Sequence, residues 1–497
     1  MSPRARSWLK AGALLAVLLY ACALQGVRPL YSPDEGRYTD VALMMLADGD
    51  WLHPMLHPEV PHWSKPPLTY WSIAASLAAF GHSEWAARLP GALAFAGTIL
   101  LLVRLGRRFV PAQPGLAGLV YATFVLPPLA ANLVTTDTLL AFFSALQAVA
   151  FVSLWWAGDP ARARRAGLLL GLAAGLAFLT KGPPGLLVLA ACLLFAGMQE
   201  GLAGLRRVLR WPVLLVFLVV GGSWYLLIAL QEPSVLRYFL VEEVVNRVAS
   251  DRLHRNAQWY GAIVVYLPTL LIGTLPWMPL LLVAAWRHRR AWRAHLREDP
   301  ALALLACWVL LPLAVFVLAR SRLPLYLLPL FAPLALLVAR RLAVFAPTRW
   351  QAGLLVAWCL LLAGLRAVPA FLDVAADDRA LADAISERLP SPPGEVAFVA
   401  TAPRFGLRFY LGSAIERIDL PDAGPTPQAQ DLTGELLEHE GCRLFAVSPA
   451  SLPALVRGLD GAGVRTQSLG TARGYALLAE FSDDCAWRPG TGTMLAR

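Results

Sequence analysis

The sequence predicts a polytopic α-helical membrane protein of about 11 spans, followed by a small C-terminal periplasmic α/β domain. Three observations lead to this fold class. Of the 497 residues, 58% are hydrophobic and 15% are charged, whereas a soluble domain usually carries about 25% charged residues. Apolar runs that approach span length recur along the first three quarters of the chain. Beyond residue 373 these runs stop and acidic residues outnumber basic ones.

A membrane-spanning helix needs about 20 mostly apolar residues. The predicted spans are 9–26, 88–106, 115–133, 138–157, 166–181, 183–198, 212–231, 262–285, 301–319, 323–340 and 351–369. The first run resembles a signal peptide, but so many spans follow it that a retained anchor is favoured. The two runs beside Lys181 are short, so we expect them to be tilted or partly re-entrant.

Basic residues predict the orientation of the spans. They concentrate in the N-terminal tail and in alternate connections, namely 104–108, 162–165, 206–210, 287–297 and 340–349. The positive-inside rule places these connections and the N-terminus in the cytoplasm. An odd number of spans then puts the C-terminus in the periplasm. This topological bias accounts for the net charge of +10 without a nucleic-acid partner.

The last part of the chain predicts an α/β domain. Helix-like segments (377–389, 429–440, 449–461) alternate there with strand-like segments (395–401, 407–412, 442–447, 475–481). We therefore expect a membrane domain at 1–372, with interfacial helices in its first external loop (27–87), and an external domain at 373–497. Cys442 and Cys485 lie in this external domain, where they either form a disulfide or stay as thiols.

The stretch Tyr31–Tyr70 is the first long polar segment, and it begins with a predicted helix start. Ser32 suits the N-cap, Pro33 suits the first helical position, and Glu35 completes a capping box. Asp34 would lie near the positive end of the helix dipole, which favours the ionised carboxylate. The two acids then either only cap an interfacial helix or carry chemistry.

The same loop contains a lysine and three histidines. Two prolines hold Lys65 on a stiff segment, where its compact charge suits a phosphate or snorkels to the lipid headgroups. The apolar run 68–81 is too short to span and predicts an interfacial helix. His53, His57 and His62 lack a metal-like spacing, so we interpret them as interfacial side chains, although other loops could complete a metal site.

Further charged side chains lie at the external ends of predicted spans. Asp137 opens the fourth span, where it is either a cap or a functional group. Lys181 faces outward between two spans, and ionisable groups at membrane depth are functional candidates. Arg247 precedes the eighth span, and Arg322 and Tyr326 lie at the outer end of the tenth. Together these cations suit a pocket for a lipid phosphate.

Five motifs, in this order along the chain, resemble those of the bacterial lipid-linked glycosyltransferases of the GT-C superfamily. The motifs are SPDEGRYTDVALMML, KPPL, TTDTLL, LTKGPPG and RLPLYLLPLFAPLALL. They are similar in particular to the aminoarabinose transferases of lipid A, which are relatives of the protein O-mannosyltransferases. The resemblance covers most of the chain, from residue 30 to about residue 340.

The resemblance implies that a sugar is transferred from undecaprenyl phosphate at the periplasmic face of a bacterial inner membrane. It implies a catalytic base at Asp34, beside Glu35, and a supporting acid at Asp137. The side chains that it assigns to the lipid phosphate are Lys65, Arg247 and Tyr326, with Lys181 and Arg322 as further cations.

The sequence departs from the family pattern in front of the KPP lysine. The family usually has a glutamate there, which is expected to bind a metal, whereas this chain has Ser64. Dependence on a divalent metal is therefore open, and no other cofactor is implied. The acceptor is also open: lipid A, another envelope glycan or a protein.

The predicted chemistry needs few groups. Because a polyprenyl phosphate is a good leaving group, the reaction requires a base for the acceptor hydroxyl and cations for the departing phosphate. Direct displacement inverts the anomeric centre. The alternative function is a transporter or flippase of lipid-linked sugars, with the cations as a headgroup site. Transporters tend to show repeated halves; the sequence shows none, which favours the transferase.

Overall fold

The computed structural model describes residues 2–57, 60–239, 256–290, 292–344, 348–420, 430–437 and 442–480. The chain divides into two compact units, each built from separate stretches. The first unit comprises Met1–Gln25, Trp63–Ser72 and Arg88–Val368; the second comprises Gly26–His62, Ile73–Ala87 and Pro369–Arg497. The predicted domains, 1–372 and 373–497, stay a prediction.

The chain is a polytopic helical membrane protein, as predicted. The described residues contain eight helices that are long and apolar enough to cross a membrane, or nine if one bent pair forms a single span. The eight are Glu84–Phe109, Thr136–Trp155, Pro160–Lys181, Pro183–Val208, Trp211–Gln231, Pro300–Leu318, Pro324–Leu342 and Arg349–Phe371. The bent pair is Gly261–Gly273 with Met278–His288. The predicted total of eleven spans stays a prediction.

Other helices accompany these spans. They are Pro3–Cys22, Asp34–Asp48, Leu68–Phe80, Gly115–Thr123, Leu126–Ala130, Pro233–Tyr238 and Trp292–Glu298. Three short 3-10 helices, Pro183–Leu186, Pro324–Leu330 and Val368–Phe371, adjoin longer ones. The helix predicted at 68–81 is confirmed as Leu68–Phe80.

Prolines break two segments that the sequence predicts as continuous spans. The segment 115–133 is two short helices, separated where Phe124 has an extended backbone just before Pro127 and Pro128. The segment 262–285 is likewise two helices, with Pro276 between them. A proline lacks the N–H that an interior helical position donates and collides with the preceding turn. The length of an apolar run alone therefore overestimates the length of uninterrupted helix in these two segments.

One of the two helices beside Lys181 is longer than the sequence predicts, since Pro160–Lys181 has 22 residues. The other, Pro183–Val208, covers 26 residues, but Gly201 has non-helical backbone angles and divides it, so its first part ends close to the predicted residue 198. The helix Pro160–Lys181 begins after Asp159, whose carboxylate accepts a hydrogen bond from the N–H of Arg162 at 2.8 Å. The arginine-rich ends, which we expect to be loops, thus belong to the helices.

Small residues let the helix that ends at Lys181 pack closely against Trp211–Gln231. A Cβ atom at Gly171 would lie 2.4 Å from the carbonyl oxygen of Val213, and one at Gly175 would lie 3.0 Å from the backbone nitrogen of Gly221. Small side chains allow this close approach between membrane helices. The backbone that carries Lys181 is therefore held firmly within the first unit.

The second unit contains a six-stranded mixed sheet. Its strands are β3 (Glu395–Val399), β4 (Ala414–Asp419), β5 (Gln430–Asp431), β6 (Arg443–Val447), β7 (Thr466–Ala472) and β8 (Tyr475–Glu480), and a separate hairpin joins β1 (Met55–His57) to β2 (Val60–Pro61). The order in the sheet is β5-β4-β3-β6-β8-β7; β5, β4, β3 and β6 are parallel, and β8 and β7 are antiparallel.

Helices Asp378–Ser386, Gly406–Leu411, Leu432–Leu437 and Leu452–Gly461 accompany the sheet. The α/β pattern is present, but the strand predicted at 407–412 is wrong. This segment is the helix Gly406–Leu411, which ends where Gly412 adopts a left-handed conformation and donates its N–H to Arg408 O at 2.9 Å. Strands β4, β5 and β7 are not predicted from the sequence. Cys442 is disulfide-bonded, and Cys485 lies outside the described residues.

Ion pairs with buried carboxylates join distant parts of the second unit. Arg408 Nε donates to Asp40 on the helix Asp34–Asp48, and Arg404 Nε donates to Asp378 at 2.5 Å. Burial raises the pKa of Asp40 to about 7, against the opposing effect of Arg408. Burial likewise raises the pKa of Asp378 to about 6, against that of Arg404.

These raised pKa values predict that the second unit loses stability as the pH rises from about 4 to about 7. In this window the folded carboxyls hold protons that the unfolded chain, with an ordinary aspartate pKa near 3.9, has released. The free energy of unfolding therefore falls by at most about 1.4 kcal/mol per pH unit for each carboxyl. Asp40→Asn should flatten the dependence of the unfolding midpoint on pH between pH 4 and 8.

The matched control is Asp48→Asn, which changes an exposed acid at the other end of the same helix. It should leave the pH dependence as it is in the unmodified protein. An equally steep profile in Asp40→Asn would show that this carboxyl stays ionised throughout the window.

Candidate active site

The first unit brings together three residues that the sequence predicts as functional: Asp137, Lys181 and Tyr326. Asp137 lies in the first turn of the helix Thr136–Trp155. Lys181 is the last residue of Pro160–Lys181, and its ammonium donates a hydrogen bond to the Asp137 carboxylate. Each of these two side chains is only 7% exposed. They form a buried ion pair.

Asp137 is not itself the helix cap. Thr135 caps the helix, because its hydroxyl oxygen accepts from the N–H of Asp137 at 3.3 Å. The same hydroxyl donates to Asp137 Oδ2 at 3.0 Å, while Oδ1 accepts from Lys181. The positive end of one helix dipole lies at the carboxylate and the negative end of the other at the ammonium, so both charges are favoured.

Tyr326 supplies an aromatic face to the same cation. Its ring centroid lies 4.3 Å from Lys181 Nζ, a distance at which the ring quadrupole attracts a cation. Tyr326 lies in the 3-10 helix Pro324–Leu330, and Phe316 packs beside it with 6.3 Å between ring centroids. The site therefore fixes an ammonium between a carboxylate and an aromatic ring, away from water.

Arg322, four residues before Tyr326, binds the backbone. Its Nη1 donates to the carbonyl oxygens of Asn256 and Gln258 at 2.8 Å each, and Nη2 donates to that of Val317 at 3.1 Å. In return, Asn256 Nδ2 donates to Arg322 O at 3.1 Å. Arg322 thus holds the segment before Tyr326 in place. Arg247 lies outside the described residues.

Lys65 is a second buried lysine of the first unit. Its Nζ donates to Ser64 O at 2.6 Å, and its residue is 7% exposed. The adjacent Trp63 packs against Trp224 on the helix Trp211–Gln231, with ring centroids 6.3 Å apart. This burial disfavours snorkelling, since a snorkelling lysine keeps its ammonium exposed.

The second unit contains the two acids of the first loop, and they differ in their surroundings. Asp34 begins the helix Asp34–Asp48, forms an ion pair with Arg37, and keeps 53% of its side chain exposed. Glu35 is buried, and its Oε1 and Oε2 accept from Arg28 at 2.9 and 2.5 Å. Asp34 is therefore the more accessible of the two acids, and Glu35 is part of an internal ion pair.

The capping box predicted for these residues is wrong. Pro33 occupies the position before the helix and forms no side-chain cap. The Ser32 hydroxyl donates instead to the carboxylate of Asp378, at 2.8 Å to either oxygen. Glu35 Oε2 accepts from the N–H of Tyr31 at 3.1 Å. A distant partner thus takes the Ser32 hydroxyl, and residues just before the helix take the Glu35 carboxylate, so neither side chain caps the helix as predicted.

The residues beside Lys65 do not fit a metal at the position that the resemblance suggests. Ser64 offers no carboxylate. In the described part of the chain, one group of at least three His, Cys, Asp or Glu has its ligand atoms within 4.8 Å of one another: His57, Glu395 and Glu416. It lies in the second unit. His57 is recognisable as a candidate in the sequence, but its two partners are not, because they belong to strands more than 300 residues further along.

Comparison with protein families finds a match at residues 64–226. The matching family model is described as dolichyl-phosphate-mannose-protein mannosyltransferase. The matched segment includes Lys65, Asp137 and Lys181. It ends before Tyr326.

Two curated relatives match a longer part of the chain. Both are undecaprenyl phosphate-alpha-4-amino-4-deoxy-L-arabinose arabinosyl transferases. Transferase 2 of Pseudomonas fluorescens (strain Pf0-1) is 34% identical over 348 residues, which are 66% of this chain and 59% of the relative. That of Edwardsiella ictaluri (strain 93-146) is 35% identical over 341 residues, 66% of this chain and 58% of the relative. The chain thus spans less than two thirds of these relatives.

A solved structure matches nearly the whole fold. The crystal structure of ArnT from Cupriavidus metallidurans bound to undecaprenyl phosphate superposes with a TM-score of 0.76. The match covers 98% of this chain and 100% of that one, at 20% sequence identity. The chain is therefore similar in sequence to curated aminoarabinose transferases over about two thirds of its length, and it shares the fold of a solved ArnT structure.

Proposed function

We propose that the chain is an inverting glycosyltransferase that moves a sugar from undecaprenyl phosphate to an envelope acceptor. The observation that carries this proposal is the buried group of Asp137, Lys181 and Tyr326, which holds a cation at the ends of membrane helices. Relatives of the chain are named for an undecaprenyl phosphate donor, and a buried ammonium suits a lipid phosphate that enters from the bilayer.

In the proposed reaction, Asp34 is the base. Its half-exposed carboxylate accepts the proton of the acceptor hydroxyl while the hydroxyl oxygen attacks the anomeric carbon. The bond from that carbon to the phosphate oxygen breaks, and the bonding electrons leave with undecaprenyl phosphate. A positioned base of this kind typically contributes 10²–10⁴-fold to the rate. Attack opposite to the leaving group inverts the anomeric centre.

The buried lysines are proposed to stabilise the departing phosphate. Lys65 and Lys181 provide localised positive charge in a region from which packing excludes water, where electrostatic stabilisation is stronger than in solution. Tyr326 positions the Lys181 ammonium through its ring, and we assign its hydroxyl to the lipid phosphate. Arg322 acts as a positioning residue through its bonds to backbone carbonyls.

The location and the acceptor are part of the proposal. We place the protein in the bacterial inner membrane, with its arginine-rich helix ends and N-terminus in the cytoplasm. Asp34, Lys65, Lys181 and the C-terminal region then lie at the periplasmic face. The acceptor is lipid A, another envelope glycan or a protein; mass spectrometry of envelope lipids and glycans from a deletion strain distinguishes these classes.

The base assignment predicts that Asp34→Asn lowers the turnover number by about 10²–10⁴-fold. An amide cannot accept the proton of the acceptor hydroxyl. The measurement is release of free undecaprenyl phosphate from an undecaprenyl-phosphate sugar by the purified full chain, with the acceptor present.

The control for this variant is Asp48→Asn, at the exposed end of the same helix, which should keep full activity. Full transfer by Asp34→Asn would eliminate this carboxylate as the base. If the unmodified chain moves the labelled lipid across vesicles and releases no lipid phosphate, the protein is a flippase and the transferase proposal fails.

The assignment of the Tyr326 hydroxyl predicts a selective effect of Tyr326→Phe. This variant keeps the aromatic face over Lys181 and removes only the hydroxyl. A hydrogen bond to a charged group contributes about 1.5–3 kcal/mol, so KM for the donor should rise roughly 10–100-fold with an unchanged unfolding midpoint. Tyr326→Leu should in addition lower the midpoint. An unchanged KM in Tyr326→Phe would show that only the ring matters.

The buried ion pair predicts that stability and activity respond differently to paired substitutions. Lys181→Met leaves the Asp137 carboxylate buried without its ammonium partner, which typically costs about 3–5 kcal/mol of unfolding free energy. Adding Asp137→Asn should recover much of that loss, as read from thermal unfolding, while transfer activity stays low because the cation is still missing.

The comparison pair is Glu200 and Arg207, whose side chains are 40% and 35% exposed. Glu200→Gln should change the free energy of unfolding by less than about 1 kcal/mol and leave activity intact. Recovery of transfer activity in the double variant would show that the pair only maintains the fold.

A further inference from the structure

Three buried side chains with metal-ligand chemistry meet in the second unit, and the proposed transfer reaction uses none of them. They are His57, at the end of β1, Glu395, at the start of β3, and Glu416, in β4. Their residues are 4%, 1% and 3% exposed. One ligand atom from each lies within 4.8 Å of those of the other two.

The strand register brings the two carboxylates to the same face of the sheet. Strands β3 and β4 are parallel, and Glu395 pairs with Ala414 while Ala397 pairs with Glu416. Side chains two residues apart along a strand point to the same face, so residues 395 and 416 are diagonal neighbours. His57 comes from the β1–β2 hairpin in the first loop. This hairpin lies in the N-terminal stretch of the unit, whereas both glutamates lie in its C-terminal stretch.

Two potential ligand atoms of the cluster lack hydrogen-bond partners. Within the described residues, Nδ1 of His57 and Oε1 of Glu395 are buried and accept or donate no hydrogen bond. Leaving such a polar atom buried and unsatisfied costs about 1–3 kcal/mol. A metal ion that these atoms bind removes that cost.

The charge in the cluster also favours a cation. Buried carboxylates close to one another disfavour each other's ionised forms unless a cation or a shared proton lies between them. Arg443 Nε approaches the other oxygen of Glu395, Oε2, at 3.2 Å, and its Nη1 lies 3.4 Å from Glu480. This arginine therefore shares its charge between two acids and leaves Glu395 Oε1 for another partner.

The donor set indicates which cation fits. One imidazole nitrogen and two carboxylate oxygens suit Zn²⁺, which commonly takes three protein ligands and keeps a fourth position for water. A cavity of ≈ 200 Å³ is lined by His57 and Glu416 and also by Arg37 and Arg417. It has room for that water beside the ligands.

We propose that His57, Glu395 and Glu416 form a Zn²⁺ site that ties the β1–β2 hairpin to the sheet of the second unit. The site is separate from position 64, where Ser64 replaces the glutamate that the resemblance implies. Its role is to stabilise the fold of the unit, and it goes beyond the proposed transfer reaction. The zinc site is therefore tested by measuring the metal content of the protein, which does not depend on transfer activity.

The test measures zinc binding by the full chain, purified without a histidine tag so that no tag competes for metal. The protein is stripped with a chelator, dialysed against ZnCl₂ and analysed by inductively coupled plasma mass spectrometry. We expect about one Zn²⁺ per chain and a zinc-dependent rise in the unfolding midpoint. Removing a ligand in His57→Gln or Glu416→Gln should weaken zinc binding by roughly tenfold or more and abolish this rise.

Matched controls change the same residue types in the same unit. His53→Gln alters a more exposed histidine that is paired with Asp50, and Glu387→Gln alters an exposed glutamate; both should bind zinc like the unmodified chain. Substoichiometric zinc in the unmodified chain, or undiminished binding by both ligand variants, overturns the proposal. So does a Glu416→Gln variant that raises the midpoint equally with and without zinc, because the carboxylates then share a proton.

Discussion

The ion pair between Asp137 and Lys181 is the interaction on which the arrangement of the first unit depends. Two unlike charges buried among apolar helices are tolerated only when they contact each other. The pair therefore holds the start of Thr136–Trp155 against the end of Pro160–Lys181, and Tyr326 covers the ammonium from a third segment. Helix packing thus holds the Lys181 ammonium at one defined position.

The second unit meets the same constraint with arginines. Arg28 pairs with buried Glu35, Arg404 with Asp378 and Arg408 with Asp40. The last pair links residues 368 positions apart, so the first-loop helix is an integral part of this unit. Because Arg28 pairs with Glu35 inside the unit while Asp34 stays half exposed, two adjacent acids with the same intrinsic chemistry have different surroundings.

The parts of the fold that local physical chemistry determines could be predicted from the sequence. Apolar length identifies the helices around Asp137 and Lys181, and charge at their ends marks both residues as candidates. Helix breaks at Phe124 and Pro276 need more than hydropathy, since the prolines responsible lie within apolar runs. The segment 407–412 is apolar enough for a strand, yet Gly412 ends it as a helix.

The long-range partners of the candidate side chains could not be predicted, although they determine the surroundings of each side chain. The Ser32 hydroxyl is matched to Asp378 instead of its own helix, and His57 meets two glutamates from distant strands. No spacing rule relates such positions, because the sheet register creates the proximity.

The three lysines of the chain offer one further argument about the site. A buried ammonium is expensive, and arginine serves nearly everywhere else in this sequence, yet both Lys65 and Lys181 are buried in the first unit. A lysine is a compact point charge, whereas an arginine presents a wide planar fork that here binds backbone carbonyls, as Arg322 does. This difference between lysine and arginine suits the proposed reaction, in which small ammonium groups bind the lipid phosphate and guanidinium groups hold the backbone in place.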